Sequence, residues 1–312
     1  MPETNNPGDV VTLTVTWCCA ARSADASANS CRTSLRSTSS TARGAAADPK
    51  DKVEELKMIQ DAERLEFEGN FQAAAELHEK MLALRPGAAS SYIGLALARA
   101  RLNDFDAAVA VLKRGVEKIP NSELLMTRLG YTYLVMKRIP DALAEMDKVL
   151  ALNPRSVDGL TAMSVLLDGT GRKDEARAYF EKALAVEPEN KFLRTSYGQN
   201  LASAGRVAEA IDVFTKLTQD FPTDGQSWQL LGVAYAMVRD FDKAIDNLKQ
   251  VLYIKPVPQT YYYLAMSYKE KGDLAEAVRY LERYLDDPKD EPPQRVQNAR
   301  AGLEALRKAI AK

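Results

Sequence analysis

The sequence predicts an all-α fold: a right-handed α-solenoid of seven 34-residue helix–turn–helix repeats, with a C-terminal capping helix and a disordered N-terminal tail. Three observations carry this. Alanine recurs at Ala74, Ala108, Ala142, Ala176, Ala210 and Ala244 in steps of 34, and again at Ala277, one residue early. Proline keeps the same step at Pro86, Pro120, Pro154, Pro188, Pro222 and Pro256. Between them lie turn signals: Gly69-Asn70, Asn103-Asp104, Gly171-Arg172, Gly205-Arg206 and Gly272-Asp273. A fixed period of this length marks stacked helical hairpins, each touching only its neighbours. The core then grows in one dimension, so 312 residues need not split into the globular domains that length otherwise suggests.

Residues 1–50 form the first segment. They are rich in Ser, Thr and Ala, carry Arg22, Arg32, Arg36 and Arg43, and show no helical period. Such a stretch cannot bury enough apolar surface to offset its chain entropy, so a disordered tail is expected. Three roles stay open for it: an inert extension, an organelle transit peptide, or a signal or lipoprotein anchor with Cys18 or Cys19 as the acylated residue. A cytoplasmic protein is expected, with an organelle or envelope location if the tail is a targeting segment. The apolar run Val10–Ala21 is too short to cross a bilayer, and Asp9 precedes it where a secretory signal would place a base.

The second segment, residues 51–290, is the array. Glycine at the hairpin turns tolerates the left-handed backbone that closes a helix, and the following Asn or Asp caps the next one. In the third hairpin Lys137-Arg138-Ile139-Pro140 takes that place, with Pro140 in a first helical turn where a missing N–H does no harm. The periodic prolines end each second helix by biasing the preceding residue away from helical geometry. Small residues at Ala62, Ala96, Gly130, Ser164, Gly198, Gly232 and Ala265 are expected to face the periodic alanines across each hairpin, because two backbones approach closely only where both lack bulk. The third segment, residues 291–312, reads as one more helix. Val296, Ala299, Leu303, Leu306 and Ile310 form a single apolar stripe, suited to covering the last hairpin.

These residues resemble the tetratricopeptide repeat family. The sixth unit gives Trp228, Leu231-Gly232, Tyr235, Phe241, Ala244, Leu248, Val251 and Pro256, and the third gives Leu129-Gly130, Tyr133, Ala142, Met146 and Pro154. The fifth has Tyr197-Gly198, Ala210, Phe214 and Pro222, and the seventh Leu264-Ala265, Tyr268 and Ala277. The resemblance covers about three quarters of the chain in one register, and the seventh unit departs from it by one residue. It implies first helices that line a concave groove and a protein or peptide ligand held there. On that register the peptide-binding candidates are Thr127, Tyr131, Thr161, Val165, Thr195, Gln199, Gln229, Val233, Tyr262 and Met266, with Tyr131, Tyr262 and Met266 as anchors.

Other chemistries find little support. Lys plus Arg is 42 against 43 for Asp plus Glu, giving a formal net charge of -1, so no nucleic-acid partner is expected. No run of about 18 apolar residues exists, so no membrane span is expected. Cys18, Cys19 and Cys31 all lie in the tail, leaving the array without a thiolate metal site. No phosphate loop, His-x-x-x-His or Cys–His arrangement occurs, so the chain is expected to need no cofactor or metal and to have no catalytic residues. The one histidine, His78, occupies a position where other units place Leu, Met or Phe and reads as a packing residue. The functional expectation is a non-catalytic protein–protein interaction scaffold. The alternative is a non-catalytic subunit or targeting arm of an enzyme or envelope-assembly complex.

Overall fold

The computed structural model describes residues 49–288 and 291–311, with side chains from Val53 onward except Glu55. The tail expectation for residues 1–50, including its three cysteines, lies almost wholly outside them. Fifteen α-helices and no strands occur among the described residues. The first helices of the hairpins are α1 (Pro49–Phe67), α3 (Ala89–Arg101), α5 (Glu123–Val135), α7 (Val157–Gly169), α9 (Lys191–Ser203), α11 (Gly225–Met237) and α13 (Pro258–Lys271). The helices that follow them in sequence are α2 (Phe71–Leu84), α4 (Phe105–Lys118), α6 (Ile139–Leu152), α8 (Lys173–Val186), α10 (Val207–Asp220), α12 (Phe241–Ile254) and α14 (Leu274–Asp286), and α15 (Pro293–Ile310) comes last. The chain forms two compact units, one ending at Gly171 and the other beginning at Arg172.

Local chemistry sets the helix ends. A backbone in the left-handed region stands at Gly69, Asn103, Lys137, Gly171, Gly205, Arg239 and Gly272, one residue per hairpin turn. Lys137 and Arg239 hold this conformation against the steric preference of an L-residue, so their turns are imposed by the packed hairpin rather than by the residue. The second helices end two residues before their prolines at Leu84, Lys118, Leu152, Val186, Asp220 and Ile254. The pre-proline residues are extended there, with ψ between 66° at Phe221 and 117° at Lys255.

Two solutions occur at the start of the second helix. Asn70, Asp104, Asp240 and Asp273 cap theirs by accepting a backbone N–H three residues on. Arg138, Arg172 and Arg206 cannot cap; each instead pairs with an acid one turn later, at Asp141, Glu175 and Glu209. Those acids sit in the first helical turn, where negative charge suits the exposed N–H groups.

In the first unit the core runs through Leu95, Leu112, Leu125, Leu129, Met146 and Val149. A Cβ added at Gly130 would lie 2.2 Å from the Met146 terminal methyl and 3.4 Å from the Ala142 carbonyl oxygen. The small-residue pairing expected across the third hairpin is therefore present. His78 is 8% exposed, with Nε2 3.0 Å from Glu66 Oε1 and its ring pressed against Gly94. Tyr92 closes the gap between the first and second hairpins by donating its hydroxyl to the Pro86 carbonyl at 3.0 Å.

In the second unit the same contact recurs four repeats later: the Trp228 indole N–H donates to the Pro222 carbonyl at 2.8 Å. Phe214, Leu217, Leu231 and Ala234 form one part of the core. The other joins Leu248, Leu264, Ala265, Leu281 and Tyr284 to Ala299 and Leu306 of α15. A Cβ at Gly232 would stand 2.7 Å from Leu248 Cγ and 3.1 Å from the Ala244 carbonyl oxygen, so the sixth hairpin uses the same close approach as the third.

Helix α15 lies against α14 through Ala299 and Leu306, with Val296 and Leu303 half-buried beside them. Ile310 corrects the expected stripe: it is 51% exposed. The 18 residues of α15 run to about 27 Å against about 20 Å for the 13 of α14, so it is longer than the helix it covers.

Candidate functional site

Within each unit, residues that share a repeat phase share a direction on successive first helices. One phase holds Thr127 and Thr161 in the first unit and Thr195, Gln229 and, one residue early, Tyr262 in the second; another holds Tyr131 and Val165 in the first and Gln199, Val233 and Met266 in the second. Within the first phase, side-chain length decides what reaches the surface. Thr127, Thr161 and Thr195 are 4%, 4% and 8% exposed, whereas Gln229 and Tyr262 are half-buried. Thr161 spends its hydroxyl on the Val157 carbonyl at 2.6 Å. The three threonines thus belong to the helix seams and offer a ligand no accessible group. Every member of the second phase is half-buried with a face to solvent.

In the first unit, Tyr131 and Val165 remain from the expected set as surface groups on α5 and α7. Helices α5 and α6 there enclose a conventional apolar core. The residues that build a site with definite chemistry lie in the second unit, on α11, α12 and α13.

A chain of side-chain hydrogen bonds crosses from α11 to α13. The Thr260 hydroxyl donates to Gln229 Oε1 at 3.2 Å, Gln229 Nε2 donates to Gln259 Oε1 at 3.2 Å, and Gln259 Nε2 donates to the Tyr263 hydroxyl at 3.2 Å. The relay fixes both glutamine amides. Its terminal member, Tyr263, receives a hydrogen bond, and no described residue accepts one from its O–H. Burial pushes the Tyr263 phenol above its usual pKa, so the group stays a neutral donor at physiological pH.

Beside the relay lies an open apolar pocket of about 100 Å³, lined by Val233, Ala236, Phe241, Leu248, Tyr263, Met266, Ser267 and Glu270. Val233 and Met266, both expected on the binding face, share it. Ser267 turns its hydroxyl away to the Tyr263 carbonyl at 2.9 Å, leaving Glu270 as the charged group of the lining. Lys269 approaches Glu270 only to 3.8 Å, with both side chains about half exposed, so water screens that pair.

The expected anchor Tyr262 has a different setting. Its ring packs 5.4 Å from Tyr284 and 6.2 Å from Tyr263, with the Arg295 guanidinium 5.9 Å from its centroid. Glu291 accepts from both Tyr284, at 3.0 Å, and Arg295, at 2.9 Å. Burial and this carboxylate push the Tyr284 phenol far above its usual pKa. Tyr262 therefore joins the face to the C-terminal helix as well as presenting an edge to solvent.

Gln259 and Glu270 were absent from the expected set. The seventh hairpin is one residue short, and carrying the step of 33 through all of it puts Gln259 in phase with Gln226 and Glu270 in phase with Met237. Among the described residues, no group of three His, Cys, Asp or Glu side chains is arranged to hold a metal, and no helix is long and apolar enough to cross a membrane.

Family models, each described as a tetratricopeptide repeat, match residues 68–129 and 169–234, 127–191, 225–258 and 259–289. The chain belongs to the tetratricopeptide repeat family. It is 32% identical over 101 residues to the uncharacterized protein y4yS of Sinorhizobium fredii, a match covering 32% of this chain and 56% of that one. The chain thus spans little more than half the length of that curated relative. Among solved structures it is similar to a tetratricopeptide repeat protein from Parabacteroides merdae, at 14% identity and a TM-score of 0.59, covering 81% of this chain and 98% of that one. It is also similar to PilW, described as a widely conserved type IV pilus biogenesis factor, at 19% identity and a TM-score of 0.59 over 70% and 97% of the two chains. At these identities the likeness is one of fold.

Proposed function

We propose that this protein is a non-catalytic scaffold that binds an extended peptide or protein segment along the groove face of its first helices, with α11 and α13 of the second unit as the principal contact. The tetratricopeptide fold is in general one of protein-interaction scaffolds, and the families matched are repeats rather than catalytic domains. The observation that carries the reading is the pairing of an apolar pocket with an ordered row of side-chain amides and a tyrosine O–H that no described residue accepts. An extended segment needs both: pockets for side chains and polar partners for its peptide groups. Both glutamines and Tyr263 are already locked by their mutual hydrogen bonds, so little ordering cost falls on the receptor.

The test is display selection of a random peptide library on the full chain and on Val233→Glu/Met266→Glu, after both give the same helical circular dichroism. Peptides enriched by the parent and lost on the double variant are the expected result. Identical enrichment on both would overturn the assignment of binding to this face.

A further inference from the structure

Resting on that reading, we infer that the α11–α12–α13 pocket recognises one sequence pattern: an aliphatic side chain of Leu, Ile or Met size, with a Lys or Arg about two residues away. Three features of the pocket set these terms.

Its volume sets the anchor. An engineered apolar cavity of about 150 Å³ accommodates benzene. The pocket here is about 100 Å³ and open to solvent, enough for a branched or flexible aliphatic group. Val233, Ala236, Phe241, Leu248 and Met266 make most of its lining and Ser267 is already satisfied internally, so an apolar anchor suits it better than a polar one, whose partners would be limited to Tyr263 and Glu270. Met266 is a flexible wall that can close over different aliphatic shapes.

Glu270 sets the neighbour. It is the charged member of the lining, it stands at the turn end of α13, and its contact with Lys269 is long and solvated. The neighbouring Lys271 is engaged with Asp242 on α12. A cationic ligand residue therefore meets an available carboxylate, whereas an acidic one meets like charge.

The spacing comes from α13 itself. Tyr263, with its O–H available to a peptide carbonyl, and Glu270 are seven residues apart, which is about 10 Å along a helix at 1.5 Å per residue. An extended peptide rises about 3.3 Å per residue, so about three of its residues bridge the two. A carbonyl on Tyr263, an aliphatic side chain in the pocket and a base at Glu270 fit that span.

The experiment uses fluorescently labelled Ser/Gly host peptides carrying Leu-Ser-Lys, Leu-Ser-Glu or Ala-Ser-Lys, titrated by anisotropy into the full chain and into Glu270→Gln and Glu270→Lys. Glu270 is exposed, so these variants should fold, and circular dichroism checks it. The expected result is roughly ten-fold tighter binding of Leu-Ser-Lys than of Leu-Ser-Glu, a preference flattened in Glu270→Gln and reversed in Glu270→Lys. Ala-Ser-Lys should bind weakly to all three. The inference is overturned if the charge preference is the same in the parent and in Glu270→Lys, if Ala replaces Leu without loss, or if no host peptide binds the parent. The library selection above separates these failures from that of the scaffold reading: peptides lost on Val233→Glu/Met266→Glu but lacking the aliphatic–basic pattern would keep the face and discard the pattern.

Discussion

Two glycines on one helix should respond oppositely to the same substitution. Gly225 opens α11, and a Cβ there meets only Val251 Cγ1 at 3.5 Å, an ordinary contact. Gly225→Ala should therefore stabilise by about 0.5 kcal/mol, chiefly by restricting the unfolded chain. Gly232 lies two turns on, where the new carbon would stand 2.7 Å from Leu248 Cγ and 3.1 Å from the Ala244 carbonyl oxygen. Neither atom is the free end of a side chain, so α11 and α12 must separate. Overpacking of this kind costs about 2 kcal/mol, against an intrinsic helix gain of about 1 kcal/mol for alanine over glycine. The net is a loss of about 1 kcal/mol, and the two variants should differ by about 1.5 kcal/mol. Urea denaturation followed by circular dichroism at 222 nm reads this as midpoints moving in opposite directions at an unchanged slope. Midpoints that move together would mean that close approach is not why position 232 is glycine.

Other outcomes follow from the same geometry. Arg239 holds a φ of 63° where four of the equivalent turns use glycine, so Arg239→Gly should raise stability by about 1 kcal/mol; a lowered denaturation midpoint would show that its side chain matters more than its backbone. The Tyr284 phenol is buried against Glu291 and its pKa is raised, so it favours the fold fully below about pH 10 and loses that contribution as pH rises and the unfolded chain ionises. Tyr284→Phe should flatten the fall in melting temperature above about pH 10; an equally steep fall would assign it to other groups.

The periods of alanine and proline were enough to place the helices, because both act locally: proline on the residue before it, alanine on the distance between paired helices. The left-handed turn at Arg239 was not legible, since nothing in an arginine announces that backbone; only the phase, counted from Gly205, points to it. The candidate site was read less completely. Phase gives direction around a helix but not depth, so Thr127, Thr161 and Thr195 were expected at the surface with Gln229 and Tyr262 although they are too short to reach it. The relay through Gln259 and the carboxylate of Glu270 required the seventh hairpin's missing residue to be carried through its whole length.

The hydrogen bond from Trp228 to Pro222 has a spectroscopic consequence. The chain has two tryptophans, Trp17 and Trp228, and the second sits where α11 meets the turn that follows α10. In Trp17→Phe, emission would come from one indole, tethered by its N–H to the Pro222 carbonyl and next in sequence to Gln229 of the relay. Its quenching and wavelength would then follow local opening beside the pocket, while ellipticity follows the helices as a whole. A ligand that clamps α11 to α13 would be visible as a change in that single emission band without any label on the protein.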